Sequence, residues 1–369
     1  VRNFRFLIGT SWGGSAVSLS FRALAFELVR RGHRVALLID QERRQWESLS
    51  GNPTVHVWPS RRPVHFRDGR YFLRLARQYR PECVIANFAA VNFLISLGWL
   101  LGIRRRVACY HTLAAQIDLD TALPVWRLAW LRRRKRWIYR MATDLLAFSQ
   151  AGARDLQQNY IVNPEKVVVF PYGLADPSLP DLDRKESGRV LCVGRLDKCK
   201  GQDVLIRALA LLGPEYGAPI AEFVGDGPCR AELEDLARQL GVGQRCLFRG
   251  TLPHREALAR MRAATVTVVP SRSEAVGCVA LESMAVGTPV VASRAGGLAE
   301  LVRDGLDGYL VPTEEPAALS DRLKALLLDG PTRAAMGRNS RQRFLEKFEQ
   351  SRVTAAVADW LEERLRANG

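Results

Sequence analysis

Short, nearly continuous apolar runs alternating with longer amphipathic stretches predict an α/β chain of two doubly wound domains. Three observations carry this expectation. The length of 369 residues at 47 % apolar content suffices for two cores of ordinary size. Runs of strand length recur with helical patterns between them through both halves. Residues 173–188, rich in Pro, Asp and Ser and without periodicity, read as a linker between the halves.

Residues 5–10 form a strand pattern, 15–31 an amphipathic helix and 34–39 a second strand, which together make a βαβ unit. Its first turn, residues 11–15, holds Gly13 and Gly14 but lacks the full set of glycines of a dinucleotide site. Further strands are expected at 55–58, 83–86, 107–110, 145–148 and 167–171, and alternation resumes from 189 to about 329. Residues 331–367 are helical in pattern, with Trp360 as a packing anchor. The expected division is a first domain over 1–172, a linker over 173–188, a second domain over 189–347 and a terminal helix over 348–369.

Charge is unevenly placed. Of the formal +16, residues 1–180 carry 27 basic against 12 acidic side chains, and the remainder 27 against 26. A basic first half implies an anionic partner: a membrane surface, a phosphorylated acceptor or nucleic acid. Seven scattered cysteines without a C-x-x-C pair suggest neither a disulfide framework nor a zinc site, and fit a reducing cytoplasm. The most apolar stretch beyond the first strand, residues 91–103, is 13 residues long, against the roughly 20 a bilayer-spanning helix needs. Any membrane contact is therefore expected to be peripheral, at the inner face.

The second half carries the chemistry. A strand over 266–270 is followed by a polar turn and a helical run over 279–286, with Glu274 in the turn and Glu282 in about the first helical turn. Alone, two glutamates at this spacing are ordinary solvated charges. Upstream, the strand 190–193 ends in Gly194-Arg195-Leu196-Asp197-Lys198-Cys199-Lys200-Gly201 before a helix over 202–212. An arginine fork and a lysine flanking a strand-to-helix turn suit a diphosphate. Phe223-Val224-Gly225-Asp226-Gly227-Pro228 and Leu247-Phe248-Arg249-Gly250 end two more strands.

In this order, with Gly296-Gly297 and Glu300 following, the motifs resemble the family 4 retaining glycosyltransferases of the GT-B fold. The resemblance implies two Rossmann-like domains facing a central cleft, with the C-terminal helix crossing back to the first. It implies that Arg195 and Lys200 bind the diphosphate of a nucleotide diphosphate sugar, most often a UDP-sugar, and that Glu282 binds the ribose hydroxyls. Glu274 then lies beside the transferred sugar, with the backbone of Gly277, Cys278 and Val279 near the sugar or phosphates. Gly13 and Gly14 face the phosphates, and the base lies near Phe248 and Arg249. His111, just past the end of a strand, matches a family histidine close to the reacting sugar, in a positioning role. The family transfers with retention and without an established protein nucleophile, so a glycosidase-like carboxylate pair is not required. No cofactor is implied.

Asp118-Leu119-Asp120 and Asp181-Leu182-Asp183 match a D-x-D metal pattern. Neither sits where a strand end would aim it at a diphosphate already served by Arg195 and Lys200, so no metal is expected. Residues 124–141 hold seven basic side chains, including Arg132, Arg133, Arg134, Lys135 and Arg136 in succession. At 100° per residue Trp126, Trp130, Trp137 and Met141 share one stripe of about 60°. This is the pattern of an interfacial membrane helix, or of a helix whose tryptophans face the core. Arg61, Arg62, Arg67 and Arg70 extend the patch or form an ordinary solvated loop.

The expected function is sugar transfer to a lipid-linked or anionic glycan acceptor in bacterial envelope glycan biosynthesis. A soluble small-molecule acceptor is the alternative, and a nucleic-acid-binding protein the alternative of another class. Nucleic acid is not the expected partner, because the tryptophans share a stripe instead of interleaving with the charges.

Overall fold

The computed structural model describes residues 3–11, 16–40, 52–121, 123–177, 179 and 187–367. Gly13, Gly14, Asp181 and Asp183 lie outside the described residues. The chain divides into two compact units. The first comprises Val1–His111, Leu123–Gly173 and Gln350–Gly369, and the second Thr112–Ala122 and Leu174–Glu349.

In the first unit seven parallel strands form one sheet. They are β1 (Arg5–Gly9), β2 (Arg34–Ile39), β3 (Thr54–Val57), β4 (Cys83–Ala86), β5 (Arg105–Tyr110), β6 (Asp144–Ala147) and β7 (Val167–Val169), in the order β3-β2-β1-β4-β5-β6-β7. Helices cover a parallel sheet on both faces, so its central strands are apolar throughout, as in Phe6-Leu7-Ile8 and Val35 to Ile39, all buried. All seven strands expected from sequence are present, with no end moved by more than two residues.

The last helix, Gln350–Arg366, packs on the helix Ala16–Arg30 within this unit. Arg31 ties the two ends together, its guanidinium donating to Asp359 at 2.5 Å and to Glu362 at 3.1 Å. Trp360 lies with its ring centroid 5.8 Å from that of Phe170.

The second unit has β8 (Arg189–Val193), β9 (Ile220–Val224), β10 (Cys246–Gly250), β11 (Val266–Val269), β12 (Val290–Ser293) and β13 (Gly308–Val311), again all parallel. Their order is β10-β9-β8-β11-β12-β13. Each sheet therefore grows outward from its first strand, then returns to that strand's other side. Ligands bind beyond the carboxyl ends of the strands at such a reversal. In the first unit this point lies between β1 and β4, and in the second between β8 and β11.

Candidate active site

At the second unit's reversal two loops meet. The turn after β8 closes through Gly201, whose φ of +66° is left-handed and whose Cβ position would lie 2.1 Å from the Pro270 carbonyl oxygen. Only glycine permits that approach. It sets Lys200 against the loop after β11, where its Nζ lies 2.6 Å from Glu274 Oε2. Ser271 donates to the same oxygen at 3.1 Å. Burial opposes the Lys200 charge, but the Glu274 carboxylate outweighs it and the lysine pKa is raised. Glu274 is itself fixed from behind, its carbonyl accepting from Gly297 N–H at 2.9 Å.

Arg195 donates through Nε to Asp197 and through Nη2 to Asp120 at 3.3 Å. The hydrogen bond to Asp197, opposed by partial burial, raises its pKa further. Asp120 also accepts from the Cys199 backbone N–H at 3.3 Å. This corrects the sequence expectation that the Asp118-Leu119-Asp120 segment is not aimed at the diphosphate turn. The segment belongs to the second unit although its neighbours in sequence belong to the first, and its carboxylate takes a guanidinium and an amide of the kind a phosphate oxygen takes.

The helix Cys278–Ala285 starts at Gly277, in the left-handed region at φ 91°. Its first N–H groups, at Cys278 and Val279, belong to the end of a helix that attracts anions. Burial, reinforced by Glu282 and Glu274, pushes the Cys278 thiol up to about 12, so it is neutral at pH 7. Because the helix begins at Cys278, Glu282 lies in its second turn, not its first, and there its Oε1 meets His254 Nε2 at 2.8 Å. His254 was not singled out in the sequence: a lone histidine opening a helix gives no sign of a partner 28 positions away.

Arg249 is engaged elsewhere. Its Nε donates at 2.6 Å to Glu222, a nearly fully buried carboxylate on β9 that also accepts from Arg260 Nη1 at 2.6 Å. With Arg189 Nε 3.9 Å from the other oxygen, three guanidiniums compensate one buried charge, so the Arg249 side chain serves the sheet edge.

In the first unit His111 follows β5 with both ring nitrogens engaged. Asn87 donates Nδ2–H to the Gly9 carbonyl at 3.0 Å, so its Oδ1 faces the histidine as an acceptor, 2.7 Å from Nε2. Nε2 therefore carries the proton, and Nδ1 accepts from the Tyr172 hydroxyl. The ring is stacked between Phe148 and Phe88, at centroid distances of 4.9 and 4.6 Å. Burial pushes its pKa down to about 3. Phe88 holds a left-handed backbone at φ 50°, a conformation that costs a non-glycine residue about 1 kcal/mol or more.

Phe88 and Asn87 also line a cavity of about 420 Å³ with Thr10, Ser11, Asp40, Trp58, Arg61 and Arg62. These residues come from the ends of β1 to β4, at this sheet's reversal. The two arginines are exposed.

The helix Val125–Met141 does not turn its tryptophans to the core. Trp126, Trp130 and Trp137 are 67, 57 and 54 % exposed, each with a guanidinium near its ring, from Arg127, Arg134 and Arg140. Ile138 and Tyr139 are the buried residues. Nor do all the basic residues point outward. Arg136 donates to the Asn159 carbonyl at 3.2 and 3.1 Å, and Lys135 is partly buried over the Tyr160 ring, while Arg133 and Arg134 are exposed and Arg132 intermediate.

Among the described residues, Asp120, Asp197 and Cys199 bring three potential ligand atoms within 4.8 Å of one another. They fit a metal poorly. Arg195 already occupies both carboxylates, and burial keeps the Cys199 thiol protonated.

Two parallel doubly wound units with their polar clusters at the sheet reversals define the GT-B class. Sequence comparison gives the family. The model of glycosyl transferases group 1 matches residues 181–343, and that of Glycosyltransferase Family 4 matches residues 12–175. A D-inositol 3-phosphate glycosyltransferase of Xylanimonas cellulosilytica is 31 % identical over 287 residues, 71 % of this chain and 68 % of that one. Its counterpart in Streptomyces scabiei is 32 % identical over 291 residues, 71 % of this chain and 64 % of that one. The chain thus spans just under two thirds of the Streptomyces scabiei protein. The fold is shared with sucrose-phosphate synthase of Thermosynechococcus elongatus, at a TM-score of 0.80, 22 % identity and full coverage of both chains. It is shared also with Anabaena HepE crystallised with UDP, at 0.76 and 21 %, covering 98 % of this chain and all of that one. The chain belongs to the family 4 glycosyltransferases.

Proposed function

We propose that this protein transfers a sugar from a nucleotide diphosphate sugar, with retention and without a metal, to an acceptor bearing an anionic group. The observation that carries the reading is the assembly of Arg195, Lys200 and Glu274 on the two loops of one sheet reversal, with Glu282 on the helix that the second loop opens. Two cations at a strand-to-helix turn offer a diphosphate the charge that a divalent ion supplies elsewhere, each charge-assisted hydrogen bond contributing about 1.5–3 kcal/mol. Lys200 and Glu274 neutralise each other in the free protein. Donor binding transfers Lys200 to phosphate and leaves the Glu274 carboxylate beside the sugar. Uridine is the base of choice, since HepE, which shares the fold, was crystallised with UDP.

His111, neutral and held through both nitrogens, serves as a fixed positioning wall within the first unit, not as a free base. The cavity lined by Asp40, Arg61, Arg62 and Phe88 suits the acceptor: a carboxylate for hydroxyls and two arginines for an anionic group. The three exposed tryptophans with their cations favour an acceptor presented at an anionic membrane, since indoles and arginines together suit the interface. No helix among the described residues is long and apolar enough to cross a membrane. A soluble phosphorylated polyol is the second reading, favoured by relatives named for inositol 3-phosphate.

Titration calorimetry with UDP, GDP and ADP tests the donor half: one nucleotide binds the wild type and is weakened at least tenfold by Arg195→Ala. Equal affinity in the variant removes the assignment. Flotation with vesicles containing phosphatidylglycerol tests the membrane half. Loss of binding in the Trp126→Ala/Trp130→Ala/Trp137→Ala variant supports it, and no binding by the wild type favours the soluble acceptor.

A further inference from the structure

We propose that His254 is a positioning residue for donor recognition, holding the Glu282 carboxylate in the orientation that reads the ribose hydroxyls and so setting a preference for ribonucleotides over 2′-deoxyribonucleotides. The proposal rests on the reading of the second unit as the donor site, with Glu282 on the ribose hydroxyls as the family resemblance implies.

Glutamate is a poor discriminator unless it is held. Its side chain has three rotatable bonds, and reading two neighbouring hydroxyls requires both carboxylate oxygens in one plane at one place. Glu282 is fixed at its base by the helix Cys278–Ala285, and at its tip by the 2.8 Å contact between Oε1 and His254 Nε2. The Glu282 side chain is 13 % exposed and that of His254 44 %, so the carboxylate is shielded while the imidazole that holds it faces solvent on one side.

His254 is anchored in turn. It opens the helix His254–Ala263, directly after Pro253, whose ring fixes the backbone at φ −55°. This helix packs on the helix Cys278–Ala285, so the imidazole and the carboxylate stand on two elements braced against each other. The chemistry of the contact leaves Glu282 free for its task. An ionised carboxylate accepts at about four lone-pair positions. The Nε2–H takes one on Oε1, leaving both positions on Oε2 and one on Oε1 for sugar hydroxyls. The hydrogen bond to Glu282 raises the His254 pKa against partial burial, which favours the donating form of the ring.

A site built to hydrogen-bond a hydroxyl rejects the analogue that lacks it, because the buried acceptor is then left unpaired. The experiment measures, by calorimetry, the dissociation constants of UDP, GDP and ADP and of their 2′-deoxy counterparts, for the wild type, His254→Ala and His254→Gln. The wild type is expected to prefer the tightest-binding ribonucleotide over its deoxy form by about tenfold or more. In His254→Ala the preference falls below about threefold, because the ribonucleotide, with two hydroxyls on Glu282, loses more affinity than the deoxy form, which keeps only its 3′-hydroxyl there. Glutamine, whose side-chain N–H can donate to Oε1, restores most of it. A purely structural role would weaken both nucleotides together. An unaltered preference in His254→Ala overturns the proposal. A wild type that binds both forms equally also overturns it while leaving the donor site standing, whereas a folded wild type that binds no nucleotide removes the donor reading and this proposal with it.

Discussion

Lys200→Gln and Glu274→Gln have opposite effects on donor affinity if the pair works as a relay. Lysine 200 holds its ammonium 2.6 Å from a carboxylate whose side chain is 13 % exposed. Removing the ammonium leaves Glu274 with the Ser271 hydroxyl, a neutral donor, and costs about 1–3 kcal/mol of stability. The diphosphate loses a charge-assisted hydrogen bond of about 1.5–3 kcal/mol, but the free protein already spends Lys200 on Glu274, so part of this is offset. A net loss near 1.4 kcal/mol, about tenfold in Kd, is expected. Glu274→Gln instead releases Lys200 to the phosphate, so UDP binds as well as to the wild type or up to about tenfold tighter. Sugar transfer nevertheless falls by about 100-fold or more, because the carboxylate beside the sugar is gone. In the double variant the effects on binding do not add, with a coupling of about 1 kcal/mol. Calorimetry with UDP and single-turnover transfer measure both halves. Equal weakening of UDP by the two single substitutions, or strict additivity in the double variant, refutes the relay.

Two further outcomes follow from the same geometry. Asp120→Asn frees Arg195 from a competing carboxylate and is expected to tighten UDP by about two- to fivefold; weaker binding by calorimetry would show that Asp120 aims Arg195 instead. The neutral His111 ring makes stability depend on acid. Its pKa of about 3 lies below the roughly 6.5 of the unfolded chain, so between these values the unfolded state binds more protons. Its contribution is complete above pH 6.5 and is lost as pH falls, by at most about 1.4 kcal/mol per unit, and by less because His111 as a residue is only half-buried. Urea unfolding at pH 7 and 4.5 should show a smaller acid loss in His111→Gln than in the wild type, and identical losses would contradict the buried neutral ring.

The alternation of apolar runs and amphipathic helices was legible in the sequence because it is local. A parallel strand covered on both faces must be apolar at every position, and a run such as Val35 to Ile39 announces itself without knowledge of its neighbours. The loops that carry Arg195, Lys200 and Glu274, and the helix that carries Glu282, were legible for the same reason, since each loop follows a recognisable strand and opens a helix. The pairings within them were not. Lys200 with Glu274 and Arg195 with Asp120 join side chains 74 and 75 positions apart, and no periodicity records which strand ends become neighbours. The Asp120 segment follows no strand that would aim it at the turn after β8, and only its contacts show that it belongs to the second unit. Arg249, on a motif the resemblance ties to the base, is held by Glu222 because β9 and β10 lie side by side. The tryptophan stripe shows the remaining limit. Spacing determined that Trp126, Trp130 and Trp137 share a face, but which way a face points is decided by what packs on the opposite side, and here Ile138 and Tyr139 take the core and leave the indoles outside. Sequence determines what each segment is, through local sterics and hydropathy; tertiary structure alone decides what each side chain meets, because that depends on contacts between segments far apart along the chain.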